Sequence, residues 1–218
     1  MSKPPTPLRP APENAADAQQ DLQALQNLRE AASGCRECPL GFLATQTVWG
    51  DGPVRAPLML VGEQPGDQED RQGHPFVGPA GQLLNRALDE LGWSRDALYL
   101  TNAVKHFKFE MRGKRRMHKT PAQREAAACL HWLESEIQHV KPLAIVALGA
   151  TAARQLMGYA VPVMAQRGHW LEREDGLKVL ITLHPSALLR AVGDDRAAAF
   201  ALWLADLAQA TRWVHKRR

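Results

Sequence analysis

Leu143-Ala144-Ile145-Val146-Ala147-Leu148-Gly149 is an unbroken apolar run closed by glycine, the pattern of a strand buried on both faces. A helix is expected after it, from Thr151. Another is expected before it, from Thr120-Pro121-Ala122-Gln123 to about Val140. There Thr120 reads as N-cap, Pro121 as first helical residue and Gln123 as the capping-box residue. Helix, buried strand, helix is the unit of a parallel sheet covered on both sides.

The same unit repeats outward. Pro57-Leu58-Met59-Leu60-Val61-Gly62, Leu98-Tyr99-Leu100-Thr101 and Val179-Leu180-Ile181-Thr182-Leu183 are further strand runs. Between them, Ala80 to Leu91 places Leu83, Leu84, Ala87, Leu88 and Leu91 at helical spacing. Leu22, Leu25 and Leu28 mark a helix over about 19–32, and a last helix is expected over about 194–213. The fold class is therefore α/β: three α/β/α layers around a mostly parallel, four-stranded sheet. Residues 1–18 hold five prolines and few bulky apolar residues, which predicts a flexible tail ahead of a single domain over 19–218. His106 to Lys119 is expected to be a polar, basic loop.

At 218 residues, 45% hydrophobic and 23% charged, the chain is long and apolar enough for one folded domain, which excludes wholesale disorder. No apolar run approaches the roughly 20 residues of a membrane span. Residues 1–20 show no apolar leader stretch. A net charge of +4 permits nucleic-acid binding without requiring it. Three cysteines cannot close a disulfide framework, so a reducing, cytoplasmic location is expected.

In parallel sheets ligands sit beyond the carboxyl ends of the strands. Four polar clusters fall at such ends: Gly62-Glu63-Gln64, Thr101-Asn102, Gly149-Ala150 and His184-Pro185-Ser186. They place a candidate active site.

Gly62-Glu63-Gln64-Pro65-Gly66-Asp67-Gln68-Glu69-Asp70, followed by Gly73-His74-Pro75-Phe76-Val77-Gly78-Pro79-Ala80-Gly81, resembles the first motif region of the uracil-DNA glycosylase superfamily. His184-Pro185-Ser186-Ala187-Leu188-Leu189-Arg190 is similar to its second motif. Thr101-Asn102-Ala103-Val104-Lys105 resembles the strand end that carries a base-reading asparagine. The resemblance spans about residues 22–210. It is closest to the iron–sulfur family 4 enzymes, with two departures. Gln64 stands where family 4 usually has alanine, and the long loop contains Lys114-Arg115-Arg116-Met117-His118. Both resemble family X, whose members bind uracil-containing single-stranded DNA and become covalently attached to it through a loop histidine. That family usually has isoleucine where Met117 stands.

The resemblance implies a role for each residue. His184 stabilises the uracil anion that leaves as the N1–C1′ bond breaks, since preorganised donors at developing charge are the largest catalytic term. Asn102 reads uracil by accepting from N3–H and donating to O4; cytosine offers the reverse pattern. Phe76 stacks on the extruded base. Glu63 and Gln64 occupy the slot facing C1′, with Asp67 and Asp70 as further candidates beside the substrate. His118 is the nucleophile that captures C1′, because an imidazole held closer than any water gains from proximity. Lys114, Arg115, Arg116 and Arg190 hold phosphates, and Leu188-Leu189 is a candidate wedge.

Cys35-x-x-Cys38 alone fits a redox dithiol, zinc or an iron–sulfur cluster. Against the four cysteines of family 4, Cys129 matches the last, and His106 stands where the third belongs. The resemblance thus implies a [4Fe-4S] cluster on Cys35, Cys38, His106 and Cys129; zinc also accepts this donor set. His74, His131, His139 and His169 show no such pattern and are expected to make local hydrogen bonds. The function expected is recognition of uracil in DNA, preferably single-stranded, excision of the base and capture on His118 by a monomer. A turnover glycosylase and a non-catalytic single-strand binding module are the alternatives.

Overall fold

The computed structural model describes residues 15–190 and 194–215. The first fourteen residues of the expected tail lie outside the described residues. Helix α1 (Ala15–Ser33) begins earlier than expected, and a short α2 (Leu40–Leu43) follows Cys38-Pro39. Then come β1 (Leu58–Gly62), α3 (Asp67–Gln72), α4 (Pro79–Leu91), a 3-10 turn (Arg95–Ala97) and β2 (Tyr99–Asn102). Strands β3 (Phe109–Arg112) and β4 (Arg115–His118) precede α5 (Gln123–Val140), β5 (Ala144–Leu148), α6 (Ala150–Met157) and α7 (Val163–Gln166). The chain continues with β6 (Trp170–Glu172), β7 (Lys178–Thr182), α8 (Pro185–Leu188) and α9 (Asp194–His215).

The main sheet has the order β2-β1-β5-β7-β6. The four expected strands are parallel neighbours, in a register that aligns Leu60 with Leu100 and Val146, and Val146 with Leu180. A fifth, β6, pairs antiparallel on β7 and widens the expected four-stranded sheet at one edge. Alternate side chains supply the two cores. Met59, Val61, Ile145, Ala147, Val179 and Ile181 pack against α1, α5 and α6. Leu58, Leu60, Val146, Leu148 and Leu180 pack against α4, α8 and α9. This gives the three expected layers, and every position of β1, β2 and β5 is buried.

Two local expectations are corrected. The segment after His106 is a hairpin, not a loop: β3 and β4 pair antiparallel, from Phe109 opposite His118 to Arg112 opposite Arg115, around Gly113-Lys114. Helix α5 starts later than the Thr120-Pro121 signal, with Ala122 as N-cap. The Glu125 carboxylate accepts from the Ala122 N–H at 2.6 Å and pairs with Lys108 at 2.8 Å. A charged group serving both an orphan donor and a lysine outcompetes a threonine hydroxyl.

Candidate active site and metal-ligand set

A cavity of about 590 Å³ opens at the carboxyl ends of the parallel strands, lined in part by Gln64, Phe76, Asn102, His118, His184 and Arg190. Strand ends, the hairpin and the turn after β7 therefore bring these six expected residues to one cavity, while Glu63, Asp70, Lys114, Arg115 and Arg116 do not line it. Gly62 makes this possible. A Cβ there would stand 2.4 Å from Asn102 Oδ1, 2.7 Å from Phe76 Cζ and 3.4 Å from His184 Nε2. Any side chain at the end of β1 would occupy the point on which these three groups converge.

Asn102 is held by a buried ion pair just behind it. Lys105 Nζ donates to the Asn102 carbonyl at 2.8 Å, to Thr101 Oγ1 at 2.8 Å and to Glu136 Oε2 at 2.6 Å. Glu136 also accepts from the Gly50 N–H and the hydroxyls of Tyr99 and Thr101. Lys105 and Glu136 are both wholly buried. Such a pair is tolerable only when its remaining hydrogen bonds are satisfied, as here. Burial and the Glu136 carboxylate hold the Tyr99 phenol well above its usual range.

Phe76 is buried, with a left-handed φ of 55°, a conformation that costs a non-glycine residue unless its surroundings enforce it. Glu69 enforces it. Its Oε1 accepts from the N–H groups of Val77 and Gly78 at 3.0 and 2.8 Å, and its Oε2 from Gly66 at 3.1 Å. The Phe76 ring faces that of His184, with centroids 6.2 Å apart and planes 28° from parallel. His184 caps α8: the Ser186 N–H donates to its Nδ1 at 3.1 Å. Enclosure in the pocket, with smaller effects from His118 and Arg190, lowers the His184 pKa to about 4. The ring is therefore a neutral Nε2–H donor at physiological pH.

His118 closes the opposite wall from the foot of β4. Its Nε2 lies 3.4 Å from Glu63 Oε1, and Glu63 Oε2 accepts from Thr151 Oγ1 at 2.6 Å. Gln64 is spent on the hairpin rather than on C1′. Its Nε2 donates to the carbonyls of Lys108 and Lys119 at 3.2 and 3.1 Å, and its Oε1 accepts from the Lys108 N–H at 3.0 Å. One amide thus joins both feet of the hairpin and leaves no amide hydrogen for a water.

Arg116 is likewise no free phosphate contact. It donates to Asp67 at 2.5 Å and Asp70 at 2.6 Å, and lies over the rings of Phe107 and Phe109. These partners raise the Arg116 pKa against its desolvation. Asp70 is wholly buried and also accepts from the Thr45 N–H. Asp70 therefore anchors the hairpin to α3 and does not reach substrate. Asp67 lines the cavity but shares its carboxylate between Arg116 and Arg71. Lys114 and Arg115 are exposed at the hairpin tip, and Arg190 is exposed and lines the cavity. Leu188 is packed in the core; Leu189 lines the cavity. Glu69, Thr151 and Ser186 shape the site, and only their place beside motif residues could have signalled it.

Cys35, Cys38 and Cys129 are free and buried. Cys38 and Cys129 share one apolar cluster with Leu40 and Val104. Burial, with smaller effects from Cys38 and Cys35, pushes the Cys129 thiol up to about 11. His106 is buried and its pKa is lowered mainly by desolvation. Thr47 gives its hydroxyl hydrogen to the Ala32 carbonyl at 2.7 Å and so accepts from His106 Nε2–H at 3.0 Å. That leaves a lone pair on His106 Nδ1, which is buried without a hydrogen-bond partner. Three buried thiols and one orphaned imidazole nitrogen fit a soft metal group. Among the described residues no three His, Cys, Asp or Glu side chains are gathered closely enough to hold a single metal ion. The remaining histidines make local contacts: His74 with Asp51, His131 with Glu37, His139 with Asp21 and His169 with the Arg167 carbonyl.

The ends of three parallel strands thus converge an asparagine, a phenylalanine and a neutral histidine on one glycine. Residues 49–208 match the uracil DNA glycosylase superfamily, and the chain belongs to it. A Type-4 uracil-DNA glycosylase of Thermotoga maritima is 38% identical over 169 residues, 77% of this chain and 84% of the relative. One of Pyrobaculum aerophilum is 37% identical over 177 residues, 76% and 85% of the two chains. A Type-5 uracil-DNA glycosylase of the latter organism is 33% identical over 156 residues, 64% and 65%. No helix of the described residues is long and apolar enough to cross a membrane.

Proposed function

We propose that this protein is a uracil-DNA glycosylase of DNA repair that excises uracil, preferably from single-stranded DNA, and captures the deoxyribose on His118. The observation that carries the capture step is the placement of His118 on the wall of the cavity that neutral His184 also lines, 3.4 Å from Glu63. The N1–C1′ bond breaks with its electron pair passing to uracil. His184 Nε2–H stabilises that anion at O2 while Asn102 and Phe76 hold the base. A ring nitrogen of His118 donates its lone pair to C1′. The alkylated imidazolium then loses its N–H proton, and uracil takes one up. The Glu63 carboxylate offsets the positive charge that passes from sugar to imidazole. Lys114, Arg115 and Arg190 bind phosphates in a salt-dependent manner.

Cys35, Cys38, His106 and Cys129 would hold a [4Fe-4S] cluster, whose contribution is to tie the α1–α2 segment to both ends of the hairpin. The orphaned His106 Nδ1 supports this set. The active form is a monomer, one domain over residues 19–218, and works in the cytoplasm.

The second reading is a turnover glycosylase, favoured by the half-exposed side chain of His118, 50% accessible, which leaves water a path to the site. A denaturing gel with labelled uracil-containing single-stranded DNA decides between them. A band shifted through heat and detergent is the expected result. Abasic DNA without that band overturns capture, and unchanged DNA overturns both readings in favour of a binding module.

A further inference from the structure

Three of the four polar strand ends have a role in the site; the one after β5 does not. The turn into α6 nonetheless presses directly on it. Gly149 has a φ of 92°, and a Cβ there would stand 3.0 Å from the Cβ of His184. Two residues on, Thr151 lies in the first turn of α6 and donates its hydroxyl to Glu63 Oε2 at 2.6 Å, a short bond to a carboxylate. The Glu63 main chain is fixed as well, its carbonyl accepting from the Val104 N–H at 3.0 Å. With one oxygen held by Thr151, the other, Oε1, faces His118 Nε2. The N-terminal end of α6 adds a field that favours negative charge at this point.

We infer that Thr151 is a positioning residue for the capture step. It fixes the rotamer of Glu63 so that one carboxylate oxygen meets the His118 ring as that ring acquires positive charge. The inference rests on the capture reading above and adds to it a group from the β5–α6 turn. Thr151 does not touch the substrate; it acts through Glu63, as the third member of an oriented series acts through the second. Without the hydroxyl, the carboxylate is free to turn toward solvent, and the imidazolium forms with less stabilisation.

The test is single-turnover adduct formation, with protein in excess over labelled uracil-containing single-stranded DNA, followed on denaturing gels. Thr151→Val keeps the side-chain shape and loses the donor; it is expected to slow capture roughly tenfold or more. Its melting temperature and its affinity for the same oligonucleotide lacking uracil are expected to stay at wild-type values. Thr151→Ala, which avoids any packing fault from the valine, should show the same loss, and Thr151→Ser should restore capture. In a Glu63→Gln background the valine substitution should add no further loss, because neighbours acting through one group are not additive. Capture by Thr151→Val at the wild-type rate, or a full additional loss in the Glu63→Gln background, overturns the inference while leaving capture intact. Absence of any adduct with the wild-type protein overturns the capture reading itself, and the inference with it.

Discussion

Ser186 fixes the protonation state of His184: its N–H donates to Nδ1 at 3.1 Å, so the imidazole hydrogen sits on Nε2, the nitrogen nearest Gly62. A strand end thus presents a neutral donor to the cavity, where the proposed mechanism puts the leaving uracil anion. With a folded pKa of about 4 against 6.5 for the free group, the unfolded chain binds more protons between these values. The contribution of His184 to stability is therefore complete above about pH 6.5 and is lost as pH falls toward 4. By NMR, the His184 ring should show no titration between pH 5.5 and 8. A midpoint near 6.5 would contradict the neutral-donor role.

His118→Ser should separate excision from capture. In the proposed mechanism leaving-group stabilisation resides on His184 and base positioning on Phe76 and Asn102, so C–N cleavage is expected to survive. Serine is shorter and leaves room for water at C1′. The expected products are free uracil and an abasic site, with repeated turnover and no stable adduct. His184→Ser should lose both outcomes. Product analysis by gel and chromatography checks the pair; a wild-type level of adduct from His118→Ser would place the nucleophile elsewhere.

Asn102→Asp should lose capture of uracil or loosen its preference over cytosine. A charged aspartate cannot donate to O4 and repels it, which leaves a buried mismatch of roughly 1–3 kcal/mol or more. Competition between uracil- and cytosine-containing oligonucleotides measures the change. Full capture with unchanged selectivity would remove Asn102 from base reading.

Arg116 and Arg115 are sequence neighbours in opposite settings, one paired with Asp67 and Asp70 and the other exposed. Arg116→Ala strands the buried Asp70 carboxylate and should destabilise the protein by about 3–5 kcal/mol, the range for a broken buried pair. Arg115→Ala should cost less than about 0.5 kcal/mol and weaken DNA binding with a reduced salt dependence. Chemical denaturation and salt titrations distinguish the two; equal destabilisation would show that the tip arginine also carries structure.

Anaerobically purified protein should be brown, with a broad visible absorbance that bleaches on oxidation. His106→Cys should keep that absorbance, since a thiolate replaces the orphaned imidazole nitrogen. A colourless protein carrying one equivalent of zinc from iron-replete growth would reject the cluster.

The parallel strands were legible because burial on both faces writes itself as a continuous apolar run, as in Leu143 to Gly149. The strand ends followed from that alone. Strand β6 was not legible: Trp170, Leu171 and Glu172 are half-buried or exposed at a sheet edge, and three residues carry no period. Nor was the hairpin, whose short strands are mostly exposed and carry no continuous apolar run and whose order comes from Gln64 and Arg116. A sequence displays the sign of Arg116 but not its partners, Asp67 and Asp70, more than forty positions away. That is why it read as a phosphate ligand. The same blindness hid Glu69 and Thr151, whose work is to hold another residue still.

Because a single glutamine amide clasps the hairpin at both feet, the protruding finger is a closed module whose length is uncoupled from its base. Residues inserted between Gly113 and Lys114 lengthen the finger into solvent and leave the His118 imidazole where it is. One residue inserted between Met117 and His118 turns that ring to the opposite side of the ribbon, since side chains alternate along a strand. Engineered variants of this chain are therefore free to change the length of the finger, provided that Gln64 and the spacing from its clasp to His118 are kept.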